Sequence, residues 1–168
     1  LDYNGTTPLD REVADAMQPF IYTHWGNPSS SHPYGLAAKR GVETARAQTA
    51  ALIGALPEEI TFMSNGTETI NHALFGLTQV LAPADKAEPL PHVITQQSEH
   101  VAVLETVKAL EAQGKARCTY LGVNSEGLVS PADVKQALHS TAGKVAILSF
   151  MHSNNETGTL QPIKELVT

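Results

Sequence analysis

Residues Val145-Ala146-Ile147-Leu148-Ser149-Phe150-Met151 are apolar almost throughout. Successive side chains on a strand point to opposite faces, so a strand with one wet face alternates polar and apolar residues. A run with so little alternation predicts a strand buried on both faces, at the centre of a parallel sheet. Such a sheet needs helices above and below it, and the rest of the chain offers them.

Val13, Met17 and Phe20 recur at helical spacing, and so do Val42, Ala45, Thr49 and Leu52, with Gly54 placed to end that second helix. Between them Gly26-Asn27-Pro28-Ser29-Ser30-Ser31 reads as a loop. Ile60-Thr61-Phe62-Met63 alternates as a short strand, and Ile70, Leu74, Leu77 and Leu81 mark the helix after it. The proline-rich stretch Ala82 to Pro91 is a surface loop. A strand near Val93-Ile94, a helix with Val103, Val107 and Leu110, and a strand from Cys118 to Leu121 follow. Ser130-Pro131-Ala132-Asp133 has the form of a helix start, with Ser as N-cap and Pro at the first helical position. Strand and helix alternate four times, which predicts an α/β fold: a mostly parallel sheet flanked by helices.

Composition narrows the function. Eleven Lys and Arg against seventeen Asp and Glu give a formal charge of −6, and no basic cluster of the nucleic-acid-binding kind is present. No apolar run is long enough to span a bilayer, so a membrane partner is not expected. The single cysteine, Cys118, excludes an internal disulfide and fits a reducing compartment; within a strand it reads as a core residue rather than a nucleophile. The seven histidines lack the pair spacing of a helical zinc site, and no metal is expected. Three glycosylation sequons, at Asn4, Asn65 and Asn155, carry no weight without a secretory signal. The chain opens at Leu1 rather than Met and stops in the first turns of a helix after Pro162, which suggests a piece of a longer protein.

Three segments, each following a different strand, carry polar residues suited to a ligand. Ligands of parallel α/β sheets bind beyond the carboxyl ends of the strands. Ser64-Asn65-Gly66-Thr67-Glu68-Thr69 joins a strand to a helix whose free N–H groups and positive end suit a phosphate. Gly66 would let the backbone approach the anion, and Thr67 can cap the helix or offer its hydroxyl. A plain N-cap turn is the alternative. Gln97-Ser98-Glu99-His100 places His100 where it can stack on a flat ring or move a proton, or simply cap the next helix. His152-Ser153-Asn154-Asn155-Glu156-Thr157-Gly158 sets two amides and a carboxylate after the most apolar strand, where ligand contacts explain them better than packing does.

Together with Leu1-Asp2-Tyr3-Asn4-Gly5-Thr6-Thr7-Pro8 and Gly26-Asn27-Pro28-Ser29-Ser30 with His32, these segments resemble, in this order, the cysteine desulfurases. That family of class V, fold-type I enzymes uses pyridoxal phosphate and includes the selenocysteine lyases. The resemblance runs over the whole chain and implies the N-terminal part, about two fifths, of a two-domain enzyme. It implies that residues 1–15 pack with a small domain and that 16–168 form part of the large, cofactor-binding domain. It makes Gly66 and Thr67 the holders of the cofactor phosphate. His100 becomes the ring-stacking, proton-assisting catalytic residue, and Asn155 the amide on the phenolic oxygen. Asn4 and Asn27 resemble segments lining the substrate side.

The implied reaction takes sulfur from L-cysteine, or selenium from L-selenocysteine, leaves alanine and passes the atom on as a persulfide to an acceptor protein, as in iron–sulfur cluster assembly. A homodimer is implied for the full-length protein, with a cytosolic home as the default and a mitochondrial one as the other choice. The Schiff-base lysine, the aspartate for the ring nitrogen and the persulfide cysteine are expected beyond position 168, so the chain alone should be inactive. One departure is Asn65, where the family commonly has Gly-Ala or Gly-Gly before the threonine; Asn tolerates left-handed backbone, so the turn can keep its shape. Two other readings are a different class V enzyme of transaminase or kynureninase type, and a non-catalytic phosphate- or nucleotide-binding α/β module.

Overall fold

The computed structural model describes residues 3–85, 87–141 and 146–166. They fall into two compact units, divided between Phe62 and Met63.

The first unit is helical. Helix α1 (Arg11–Tyr22) starts at Asp10, whose carboxylate accepts the Glu12 N–H at 2.8 Å. Helix α2 (Pro33–Ile53) starts at His32 and ends at Gly54, whose φ of 70° is the left-handed conformation that lets the chain turn out of the helix. The stripe facing inward along α2 is Ala38, Val42, Ala45, Thr49 and Ala50. Leu52, expected on that stripe, is 85% exposed; the inward face passes through Ala50 instead. The loop before α2 is folded tightly back on it. A Cβ at Gly35 would stand 2.6 Å from the carbonyl oxygens of both Asn27 and Ser30, so only glycine fits there. A short 3-10 turn (Pro57–Glu59) follows, and the Arg46 guanidinium both donates to the Ile60 carbonyl and lies 5.2 Å from the Phe62 ring centroid.

Ile60 to Met63 is not a strand. Ile60 has extended dihedrals, but among the described residues this segment has no ladder partner, and a lone extended segment forms no sheet.

The second unit is the α/β part. Helix α3 (Gly66–Val80) leads through the 81–91 loop to strand β1 (His92–Gln96). Helix α4 (Val101–Ala112), strand β2 (Arg117–Leu121), helix α5 (Pro131–His139), strand β3 (Ala146–Ser149) and the short helix α6 (Ile163–Leu166) follow. The sheet is parallel, in the order β2-β1-β3, with His92 opposite both Arg117 and Ala146. All five residues of β1 are buried.

The central strand is therefore β1; β3, expected at the centre, lies at one edge among the described residues. Its apolar character is real, since Ile147 is buried, but Val145 is outside the described residues. Two cores flank the sheet: Leu74, Val93, Val103, Val107 and Leu110 on the α3–α4 side, and Ile94, Leu121, Val129, Val134, Ala137 and Leu166 on the other. Successive residues of β1, Val93 and Ile94, serve one core each, which is how a strand covered on both faces must behave. Ser130 does precede α5, with Pro131 as its first residue, but its hydroxyl makes no capping bond.

This topology fixes which end of each helix faces the ligand edge. The cleft that Phe75, Thr78, Gln79, Ala82 and Pro83 share with Gly114 and Lys115 lies where α4 turns into β2, at the amino edge of the sheet. Helix α3 thus ends at the amino edge. Its fifteen residues carry its start about 22 Å toward the carboxyl edge. Helices α4 and α5, each following a strand, also start there.

Candidate functional site

At the start of α3, Asn65 is the N-cap, and its Oδ1 accepts the Glu68 N–H at 2.9 Å. The Glu68 carboxylate reaches back to the N–H and the hydroxyl of Ser64, both at 2.7 Å, forming a reciprocal cap. These bonds hold the Glu68 carboxyl below its ordinary range, the Ser64 hydroxyl contributing most. Asn65, not Thr67, does the capping. Its φ of −165° and ψ of 172° are extended backbone, so the left-handed tolerance of asparagine plays no part.

Capping also decides which donors remain. A helix has four N–H groups without an intrahelical partner. Glu68 N is taken by Asn65 Oδ1. The Gly66 and Thr67 N–H groups and the Thr67 hydroxyl have no partner among the described residues. Nothing lies within 4 Å of where a Gly66 Cβ would be, so the approach to these donors is open. Three donors on two adjacent residues at a positive helix end match a phosphate oxygen set.

His100 is exposed and caps α4, with Nδ1 accepting the Ala102 N–H at 3.1 Å. That bond sets the neutral tautomer: Nδ1 is the acceptor and the proton sits on Nε2. Capping and ligand contact are not exclusive, because the ring face and Nε2–H remain outside the cap.

The segment after β3 is a small hairpin. Ser153 and Leu160 pair across it, and Asn155 to Thr157 form its turn. Asn154 builds it: Oδ1 accepts from the N–H groups of Glu156 (3.0 Å) and Thr157 (2.9 Å), while Nδ2 donates to the Ser98 carbonyl at 2.9 Å. One of the two amides expected as a ligand contact is therefore spent on the loop itself. Asn155 is exposed at the turn.

Two buried residues that sequence reasoning left without a role hold these segments together. Glu99, 9% exposed, accepts from Gln96 Nε2 at 3.1 Å and from the Met151 N–H. Gln161 accepts from Val129 N–H at 3.0 Å and donates to the Gly127 carbonyl at 2.7 Å, tying the loop after β2 to the segment after β3. The only signal for either was a long polar side chain beside an apolar run. In the first unit, Asn27 Oδ1 accepts the Ser29 N–H at 2.9 Å and His32 Nδ1 the Gly35 N–H at 3.3 Å. No cluster of His, Cys, Asp or Glu able to hold a metal ion occurs among the described residues.

The aminotransferase class-V family model matches residues 1–168. The chain is 45% identical over 166 residues to the cysteine desulfurase IscS of Dictyoglomus turgidum, covering 99% of this chain and 40% of that protein. It is 44% identical over 167 residues to the mitosomal cysteine desulfurase of Encephalitozoon cuniculi, covering 99% and 37%. Among solved structures, a NifS-like protein matches with a TM-score of 0.88 at 34% identity, over 99% of this chain and 43% of that one. The structure of SspA in complex with cysteine matches with a TM-score of 0.85 at 32% identity, over 98% and 45%. The chain thus spans about two fifths of the length of these relatives.

Proposed function

Because the chain belongs to the aminotransferase class-V family, we propose that the whole protein is a pyridoxal-phosphate-dependent cysteine desulfurase and that these residues hold the phosphate end of its cofactor. The observation that carries the phosphate assignment is the set of donors left over by the Asn65–Glu68 cap: two N–H groups and the Thr67 hydroxyl at an open helix end. Glycine at position 66 keeps the approach clear, and the carboxylate of Glu68 is held back by Ser64. His100, anchored through Nδ1, offers its ring face for stacking and holds a proton at Nε2. Asn155, on the hairpin turn, supplies an amide toward the ring's phenolic oxygen.

When bound, pyridoxal phosphate supplies the electron sink that loosens bonds at an amino acid's α and β carbons. L-cysteine as substrate is supported by the cysteine desulfurase relatives and by the cysteine complex of one structural neighbour. A homodimeric whole protein, a sulfur-acceptor partner and a cytosolic location belong to the same reading.

Thr67→Val in the full-length protein tests the assignment. It removes one donor to the phosphate while keeping the side chain's shape. Cofactor retention, followed by dialysis and absorbance, should weaken by about 1.5–3 kcal/mol, typical of a lost hydrogen bond to a charged group. Unchanged retention would remove Thr67 from the phosphate site.

A further inference from the structure

We propose that Glu99 is a positioning residue that sets the spacing between His100 and Asn155, an inference resting on the cofactor reading above. Its carboxylate is buried at the carboxyl end of the central strand, where it accepts from Gln96 Nε2 and from the Met151 backbone. The first bond braces the turn that leads into His100. The second fastens that turn to the root of the hairpin that carries Asn155. A parallel tie, from Asn154 Nδ2 to the Ser98 carbonyl, fastens the same two segments higher up. The neighbours in sequence of both ligand-facing residues, Glu99 beside His100 and Asn154 beside Asn155, thus join one loop to the other.

Stability alone is a poor reason for such a group. A buried carboxylate gives up its hydration, and an apolar side chain of similar volume commonly serves packing as well or better. What the carboxylate adds is a fixed reach: one oxygen meets two donors, one at the end of β1 and one in the segment that follows β3. Rigid support of that kind is what residues contacting a flat ring require, since displacement by an ångström at such a site weakens the interaction sharply.

The test uses the full-length protein with Glu99→Gln, Glu99→Asp and Glu99→Ala. Gln keeps an acceptor oxygen at the same reach; Asp is one methylene short; Ala has none. Hydrogen exchange of the peptide containing Met151, measured without cofactor, reads the tie directly. The circular dichroism of bound pyridoxal phosphate, normalised to the cofactor bound, reads the ring's surroundings. Asp and Ala should speed Met151 exchange at least tenfold and lower the normalised dichroism at least twofold, and Gln should restore both. If Ala does not fold, Asp against Gln makes the same comparison. Unchanged exchange in Asp overturns the tie. Faster exchange with unaltered dichroism makes Glu99 merely structural and overturns the proposal, as does a Gln variant no better than Asp. If the wild-type protein takes up no pyridoxal phosphate, it is the cofactor reading that fails, and the exchange experiment still decides the tie.

Discussion

The Cys118 thiol lies half-buried in β2 and donates to the Val107 carbonyl at 3.6 Å. Burial, with Glu111 adding to it, pushes its pKa up to about 11 from 9.0. The thiolate is the reactive form, so a rise of that size cuts it roughly a hundredfold at pH 8. Alkylation by iodoacetamide at pH 8 should be correspondingly slower in the folded protein than after unfolding in urea. Equal rates would mean the thiol is not shielded. This residue was legible in sequence, because a cysteine inside a strand pattern is usually core. The turn at Ser64 was legible only in part. Its glycine, threonine and helix end were visible, but Asn and Thr have similar capping chemistry, and only backbone geometry shows which side chain is spent on the cap.

Leu110 and Leu52 separate two leucines that sequence periodicity treats alike. Leu110 is fully buried on α4 between α3 and the sheet, whereas Leu52 is 85% exposed near the end of α2. Leu110→Ala should cost about 2–5 kcal/mol of unfolding free energy, and Leu52→Ala within about 0.5 kcal/mol of nothing, both measured by urea denaturation. A large loss at Leu52 would put it back on a packed face. Periodicity found α1 to α4 in their approximate places, and the Ser130-Pro131 start found α5, but the last turn of α2 diverges because its inward face closes on Ala50. Strand order was the hardest element to read. Apolar character points to β3, yet it is β1, with His92, Thr95 and Gln96 among its five residues, that is buried throughout and has a neighbour on each side. Ile60 to Met63 shows the same limit, since alternation marks a segment fit for a sheet and not one that has found a partner.

Across the α/β unit, the amino edge of the sheet is organised by a charged node. Arg117 donates to His92 Nδ1 at 3.2 Å and to the Ser140 carbonyl at 2.9 Å, while His92 Nε2 lies 2.8 Å from Thr119 Oγ1. Burial, then the neighbouring guanidinium, lowers the His92 pKa below its ordinary 6.5. A histidine kept neutral in the fold and free to protonate when unfolded stabilises fully above about pH 6.5. Its contribution is lost as pH falls from there through the lowered folded value, because the unfolded chain binds the extra proton first. The urea midpoint should therefore drop between pH 7 and pH 5, and His92→Gln should flatten that drop. An identical slope in the variant would locate the dependence at other histidines.

At the opposite edge of the sheet, α3, α4 and α5 all begin. Each helix start carries about half a positive charge, concentrated within its first turn. The chain as a whole is an anion of formal charge −6, so its net field offers a phosphorylated molecule no attraction. Beyond about 8–10 Å, the screening distance of physiological salt, that field is screened, and inside it the nearby helix ends dominate. The fold is thus short-sighted toward anions: it gives no help in gathering them from solution, and it discriminates only among those already at its edge.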